Sequence, residues 1–354
     1  MLIYLLVFVA TALTAWLLVP VASRLSQRWG LVAAPGGRRQ HTGMIPTQGG
    51  TAVFFAWLLG VGLTYWLLPP PAQDEALLRG VVWGSGLVFL GGLLDDWFDL
   101  SPLWLFLLQI VAALVAIRHE LFIERFTNPL PSSGFWTSEL LTAVIQLDGN
   151  IVVLLEPLIT LMTILWVVTI MNAVNMLDGL DGLAAGVCLV AALFFAWHSY
   201  SLLQRTVPLF SLVLAGALLG FLPYNFAPAR IFLGGGAYLL GYQMATLSIL
   251  SPAKFSTVLL VLAVPILDVA WQVMSRLRQG KNPFSGDRGH LHFRLADKGL
   301  PTRIIVLGYY TIALLFGFVA ILVPSARLKL LSLGLLATAV LLLLFYLSRP
   351  DVTS

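Results

Sequence analysis

The chain has 354 residues, 59% of them hydrophobic and 10% charged, with a net charge of +4. Soluble domains carry about a quarter charged residues, so a soluble fold, a disordered chain and a nucleic-acid-binding protein are all poor fits. The basic excess reads instead as the loop charge of a membrane protein. A single cysteine, Cys188, excludes an intrachain disulfide and a cysteine-based metal cluster.

A helix crosses the hydrocarbon core with about 20 mostly apolar residues. In chain order, candidate spans fall at about 2–21, 51–70, 79–94, 102–117, 153–172, 184–203, 207–223, 236–251, 255–274, 304–323 and 328–347, the third, fourth and eighth being short. The expectation is therefore an all-α, polytopic integral membrane protein of about eleven helices, one domain over residues 1–354. Span one lacks a preceding basic stretch and a small-residue cleavage site, so it is expected to be a retained helix. The longest polar insertions are 22–50, 118–152 and 275–303. The first and third are rich in Arg and Lys, among them Arg24, Arg28, Arg38, Arg39, Arg276, Arg278, Lys281, Arg288 and Arg294. Insertion 118–152 has Glu120, Glu124, Glu139 and Asp148 against Arg118 and Arg125. Positive charge marks the cytoplasmic side, which predicts an outside N-terminus and a cytoplasmic C-terminus. Arg327 and Lys329 are a mild exception.

Acids cluster where spans three and five end: Asp95-Asp96-Trp-Phe-Asp99, and Asn172-Ala-Val-Asn175-Met-Leu-Asp178-Gly-Leu-Asp181-Gly182. With eleven spans both lie on the cytoplasmic face. Asp268 interrupts the apolar run of span nine beside Pro265. Acids at membrane depth are expensive unless paired, hydrated or metal-bound, and are functional candidates by default. Asp95 and Asp99 stand four apart and predict one helical face; Asn172, Asn175, Asp178 and Asp181 recur every three residues and predict a slowly drifting stripe. Such hard oxygen donors suit Mg²⁺ or Mn²⁺, and Mg²⁺ fills its remaining positions with water and substrate phosphate. A phosphorylated substrate follows.

In the last basic loop, Gly289-His290-Leu291-His292 lies beside Arg288 and Arg294. These residues read as phosphate or carboxylate contacts, or as a proton carrier; the alternative is a basic loop attracted to anionic lipid. Arg38-Arg39-Gln40-His41, followed by Pro46-Thr47-Gln48-Gly49-Gly50, is a second basic turn. Gly49-Gly50 either lets backbone N–H groups approach a phosphate or simply turns the chain into span two.

These motifs, together with Gly30-Leu31-Val32 and Pro265-Ile-Leu-Asp268, occur in an order that resembles the polyprenyl-phosphate N-acetylhexosamine-1-phosphate transferases, glycosyltransferase family 4. The resemblance runs over about residues 30–303 and is closer to the branch using UDP-N-acetylglucosamine than to the muramyl-pentapeptide branch. It implies a Mg²⁺- or Mn²⁺-dependent enzyme of the plasma membrane with its site facing the cytoplasm. That enzyme joins undecaprenyl phosphate to the sugar phosphate of a UDP-N-acetylhexosamine, releases UMP and starts a cell-envelope glycan. It implies Asp95, Asp96 and Asp99 near the lipid phosphate, and Asp181 with Asp178 and Asp268 as metal ligands. Asn172, Asn175, Asp178, Arg288, His290, His292, Arg39 and His41 would contact substrate. It leaves a homodimer open.

The chain departs from the family pattern at four places. Ala33 replaces an Asp, no Lys follows Ser101-Pro102 around Leu105, Phe293 replaces a His, and Gly235 stands near the position of an Asp that binds the metal. A catalytically impaired homologue that binds lipid phosphate or nucleotide is the alternative these departures motivate. A transporter would spread its acids through the membrane depth, and a CDP-alcohol phosphotransferase would carry an Arg that the stretch Asp181–Gly186 lacks.

Overall fold

The computed structural model describes residues 1–34, 43–123, 125–127, 144–147, 151–154, 157–250, 254–280 and 289–348. Helices α1 (Leu2–Arg28), α2 (Gly49–Leu67), α3 (Ala72–Phe98) and α4 (Pro102–Arg118) come first, with a two-residue ribbon, β1 (Val32–Ala33) and β2 (Ile45–Pro46), between α1 and α2. Strands β3 (Arg125–Thr127), β4 (Val144–Leu147) and β5 (Ile151–Leu154) form an antiparallel sheet in the order β3-β5-β4. Then follow α5 (Leu158–Leu177), α6 (Leu183–Ser201), α7 (Val207–Asn225), α8 (Gly236–Ile249), α9 (Lys254–Val261), α10 (Ala263–Arg278), α11 (Leu291–Asp297), α12 (Thr302–Leu322) and α13 (Ala326–Leu347). Among the described residues, α1, α2, α3, α5, α6, α7, α12 and α13 are long and apolar enough to cross a membrane. The molecule is an all-α polytopic membrane protein with two small sheets outside its helices.

Two expectations are corrected. Residues 151–154 pair as a strand, and the fifth long helix begins only at Leu158, after Pro157. A short apolar run such as Ile-Val-Val-Leu does not distinguish strand from helix. Span nine is two helices, α9 and α10, parted at Leu262. Pro265 has no N–H to donate to the carbonyl four residues back. That carbonyl belongs to Val261, where α9 ends.

Helix α8 is the axis of the bundle. Every residue from Gly236 to Ser248 is buried, with α5, α3 and α2 packed around it. Fourteen residues span about 21 Å, less than the roughly 30 Å hydrocarbon core. Enclosure in protein makes this length tolerable, because α8 does not present its ends to lipid. The outer helices do the opposite: Leu5, Leu13 and Leu17 of α1 and Leu331, Leu335 and Leu342 of α13 are exposed, as a lipid-facing surface requires.

Helices in a bilayer associate through close packing and small residues, since lipid is as apolar as leucine. Helix α1 packs along α7 and α2. At Gly220 of α7 an added Cβ would overlap the Ala12 carbonyl and crowd Ala15. Gly241 of α8 lies in the same way on the Met171 backbone of α5. Replacing Gly220 by Leu is expected to cost about 1–3 kcal/mol by overpacking, read as a lowered thermal-unfolding midpoint in detergent. Gly62→Ala, which would meet nothing within 4 Å, is expected to leave the midpoint unchanged or slightly raised.

Candidate active site

The site begins with a backbone problem. A helix leaves its first amide groups without intrahelical partners, and buried N–H groups must be satisfied. Where α8 starts, Asp96 of α3 supplies the acceptor: Gly235 N–H donates to its Oδ1 at 3.0 Å and its Oδ2 at 3.1 Å. Gln48, 2% exposed, donates from Nε2 to Asp96 Oδ2 at 2.7 Å, and the Thr51 hydroxyl donates to Gln48 Oε1 at 2.9 Å. The preceding segment docks on the start of α2. Phe232 N–H donates to the Pro46 carbonyl at 2.8 Å, and the Gly49 and Gly50 amides donate to the Phe232 and Leu233 carbonyls, both at 2.9 Å. The Gly49-Gly50 amides are therefore used within the protein, and these glycines serve close packing: an added Cβ at Gly50 would overlap the Gly236 backbone.

Gly235 has no space for a side chain. A Cβ there would overlap the backbone of Gly92 in α3, and the converse holds for Gly92. The absent acid at this position is thus a contact between two helices, not an open ligand site. The other departures are also filled by packing. Ala33 is fully buried in β1 opposite Ile45, Leu105 packs against the core, and Phe293 is buried beside His292 with ring centroids 4.3 Å apart.

Asp95, half-buried, accepts the Leu100 N–H at 3.0 Å and lies within electrostatic reach of the Tyr238 hydroxyl in α8. Asn175 donates to that hydroxyl at 3.1 Å. Asn175 of α5 thus reaches the first turn of α8 through Tyr238. Asp99 follows one turn beyond Asp95, its N–H donating to the Asp95 carbonyl at 2.9 Å. Helix α3 ends at Phe98, and Asp99 takes a left-handed conformation (φ 49°) with an exposed side chain. The Asn-Asn-Asp-Asp stripe is interrupted, because α5 ends at Leu177 and Asp178 and Asp181 sit on the turn that leads to α6. Asn172 is turned to α4: its Nδ2 donates to Gln109 Oε1 at 2.6 Å and to the Val168 carbonyl at 2.8 Å. Asp181 accepts the Ala229 N–H at 2.8 Å, tying this turn to the segment that leads into α8.

The histidine segment closes the ring. His290 Nδ1 is 3.0 Å from Asp268 Oδ2, and Leu291 N–H donates to Asp268 Oδ1 at 3.0 Å. Asp268 is 4% and His290 6% exposed. Both Asp268 oxygens are engaged inside the protein, one by His290 and one by the Leu291 N–H. His292 lies under Gly179, where an added Cβ would overlap its Nε2, so the segment abuts the Asp178–Asp181 turn. Arg39, His41 and Arg288 lie outside the described residues. Gln48, Gln109 and Tyr238 carry no charge and no metal-ligand spacing, and sequence reasoning assigned them no role.

Among the described residues, no group of three or more His, Cys, Asp or Glu is disposed to hold a metal. Asp178 and Asp181 nonetheless offer two half-buried carboxylates on one turn. Mg²⁺ takes one or two carboxylates and completes its shell with water and phosphate, so this donor set fits that ion in the presence of a phosphorylated substrate.

Comparison with known proteins fits this geometry. The profile described as glycosyl transferase family 4 matches residues 78–252. A Bacillus subtilis (strain 168) protein named probable undecaprenyl-phosphate N-acetylglucosaminyl 1-phosphate transferase is 32% identical over 332 residues, covering 90% of this chain and 84% of that one. The Mycobacterium tuberculosis decaprenyl-phosphate N-acetylglucosaminephosphotransferase is 34% identical over 323 residues, 81% of this chain and 74% of its own. A Staphylococcus epidermidis phospho-N-acetylmuramoyl-pentapeptide-transferase matches 39% of this chain and 44% of its own, at 34% identity. The chain belongs to the polyprenyl-phosphate N-acetylhexosamine-1-phosphate transferases of glycosyl transferase family 4.

Two substitutions test this assembly. Asp96→Ala strips the acceptor from two buried donors and is expected to cost about 1.5–3 kcal/mol, measured by thermal unfolding. Gly235→Asp is expected to lower the unfolding midpoint and to add no Mg²⁺-dependent stabilisation, because the new side chain collides with Gly92.

Proposed function

We propose that the protein transfers N-acetylglucosamine-1-phosphate from UDP-N-acetylglucosamine to undecaprenyl phosphate, releases UMP, and so starts a cell-envelope glycan. The observation that carries this reading is convergence. In a chain of this family, Asp95, Asp96, Asp178, Asp181, Asp268 and His290 come from four separate stretches to one end of a membrane bundle, linked through Gly235, Ala229 and Gly179. We place that end in the cytoplasm of a cell with an inner membrane. The basic insertions 22–50 and 275–303 adjoin these motifs in the sequence, and positive charge is retained on the cytoplasmic side.

In the reaction, an oxygen of the lipid phosphate attacks the β-phosphorus of the donor. The bond from that phosphorus to the oxygen bridging the α-phosphate breaks, and UMP leaves with both electrons. The sugar C1–O bond stays intact. A phosphate monoester has a second pKa of about 6, so the nucleophile is already largely dianionic at neutral pH and no strong base is needed. The protein's task is to position two anions in line and offset their charge. Asp95 stands at the acceptor side next to Tyr238 and orients the incoming phosphate. Asp96 holds the start of α8 in place. Asp178 and Asp181 would hold Mg²⁺, or Mn²⁺, which when bound neutralises the pyrophosphate. His290 and His292, with Arg288, Arg39 and His41 from the basic loops, contact the donor phosphates. Asn175 orients the nucleotide side.

A second reading, a homologue that binds these ligands without turnover, is favoured by one observation: packing leaves no room for an acid at Gly235. Purified protein with UDP-N-acetylglucosamine, undecaprenyl phosphate and Mg²⁺ decides between them. Release of UMP, reduced about 100-fold or more in Asp181→Ala, is the expected result. Nucleotide binding with no UMP, while a control transferase turns over, supports the second reading, and neither binding nor release contradicts both.

A further inference from the structure

The Asp268–His290 pair is deeply enclosed, at 4% and 6% exposed, and its burial needs a reason. Moving a carboxylate out of water between helices is costly unless it is compensated. An apolar contact would join α10 to α11 without that cost. The surroundings are built to hold the imidazole still. Gln272 of α10 donates to the Gly289 carbonyl, and Arg294 Nε donates to the same carbonyl at 2.5 Å, so the backbone just before His290 is pinned from two sides. Asp268 holds the Leu291 N–H on the other side, at 3.0 Å. The His290 and His292 rings lie parallel, 5° apart in plane with centroids 5.8 Å apart, and His292 bears on Gly179 in the acidic turn.

We propose that Asp268 is a positioning residue for His290. An ionised carboxylate only accepts, so its contact at 3.0 Å makes Nδ1 the proton-bearing nitrogen and fixes the ring plane. Nε2 is then the nitrogen turned away from Asp268 and presented to the substrate side. The same division of labour occurs where a carboxylate orients a metal-bound or catalytic imidazole through its far nitrogen. The inference rests on the function proposed above and adds to it a residue that does not touch substrate.

A double-mutant cycle on the full-length protein in lipid nanodiscs tests it, with UMP release as one readout and UDP binding as the other. Asp268→Ala is expected to lower kcat by about 10–100-fold, with the KM for the nucleotide donor changed by less than about 3-fold. In a His290→Gln background, the same Asp268→Ala change is expected to cost less than about 3-fold, because its effect passes through the ring. His290→Gln, which keeps a donor near the Nε2 position, should retain more turnover than His290→Asn, which keeps one near Nδ1. Asp268→Asn, which preserves volume and one acceptor, guards against misfolding of the Ala variant and should fall between it and the parent. Additive losses, the reverse order of the two His290 variants, or an Asp268→Ala loss seen only in folded yield would overturn the proposal. Should the parent protein release no UMP, the function proposed above fails on its own. The pair is then judged by whether Asp268→Ala and His290→Asn weaken UDP binding non-additively; additive effects, or no UDP binding at all, overturn it too.

Discussion

The structure depends on satisfying the first amide of a helix enclosed by protein. Helix α8 is buried along nearly its whole length, so the partial positive charge and unpaired N–H groups at its start must be answered from within the bundle. Asp96 does this from α3, with Gln48 holding the carboxylate from the start of α2. For the carboxylate to reach, the backbones must come within contact distance, and Gly50, Gly92, Gly235 and Gly236 make that approach possible. One hydrogen-bonded cap thus sets where three helices meet.

The rest of the site is arranged from that junction. The segment running into α8 carries Ala229, whose N–H fixes Asp181, and Arg303 Nε at the start of α12 holds the Ala227 carbonyl at 2.8 Å. The acids therefore divide into two kinds. Asp96 and Asp268 have both oxygens committed to protein donors and act through what they hold. Asp95, Asp178 and Asp181 are half-buried at the end of the bundle and are the groups proposed above to meet substrate and cation. This division explains how a chain without an acid at Gly235 keeps a closed, ordered junction. The position is part of the scaffold, and the chemistry proposed above falls to the Asp178–Asp181 turn.

The class of fold was legible because twenty-residue apolar runs have few soluble uses, and most of the long helices fall where those runs lie. The errors came where apolarity alone is ambiguous. Ile151–Leu154 is as greasy as a helix start but pairs as a strand, and Pro265 breaks a run whose hydropathy is continuous. Motif acids were legible by their rarity, but their neighbours were not. Periodicity joined Asn172 to Asp181 in one helical stripe, yet α5 stops short, at Leu177. Gln48 and Tyr238 are uncharged, and their roles come from partners 48 and 63 residues away. No local pattern records such distances. The pairing of Asp268 with His290, 22 residues apart, is invisible for the same reason.

The central claim is that this junction directs attack on the β-phosphorus of a nucleotide sugar. Two preparations of UDP-N-acetylglucosamine, labelled separately with ³²P at the α- and β-phosphates, test it most directly when each is incubated with the protein and undecaprenyl phosphate. The account requires the β-label to move into the lipid-extractable product while the α-label stays in the aqueous phase as UMP. Lipid that gains sugar without label, or neither label leaving the nucleotide, would contradict it.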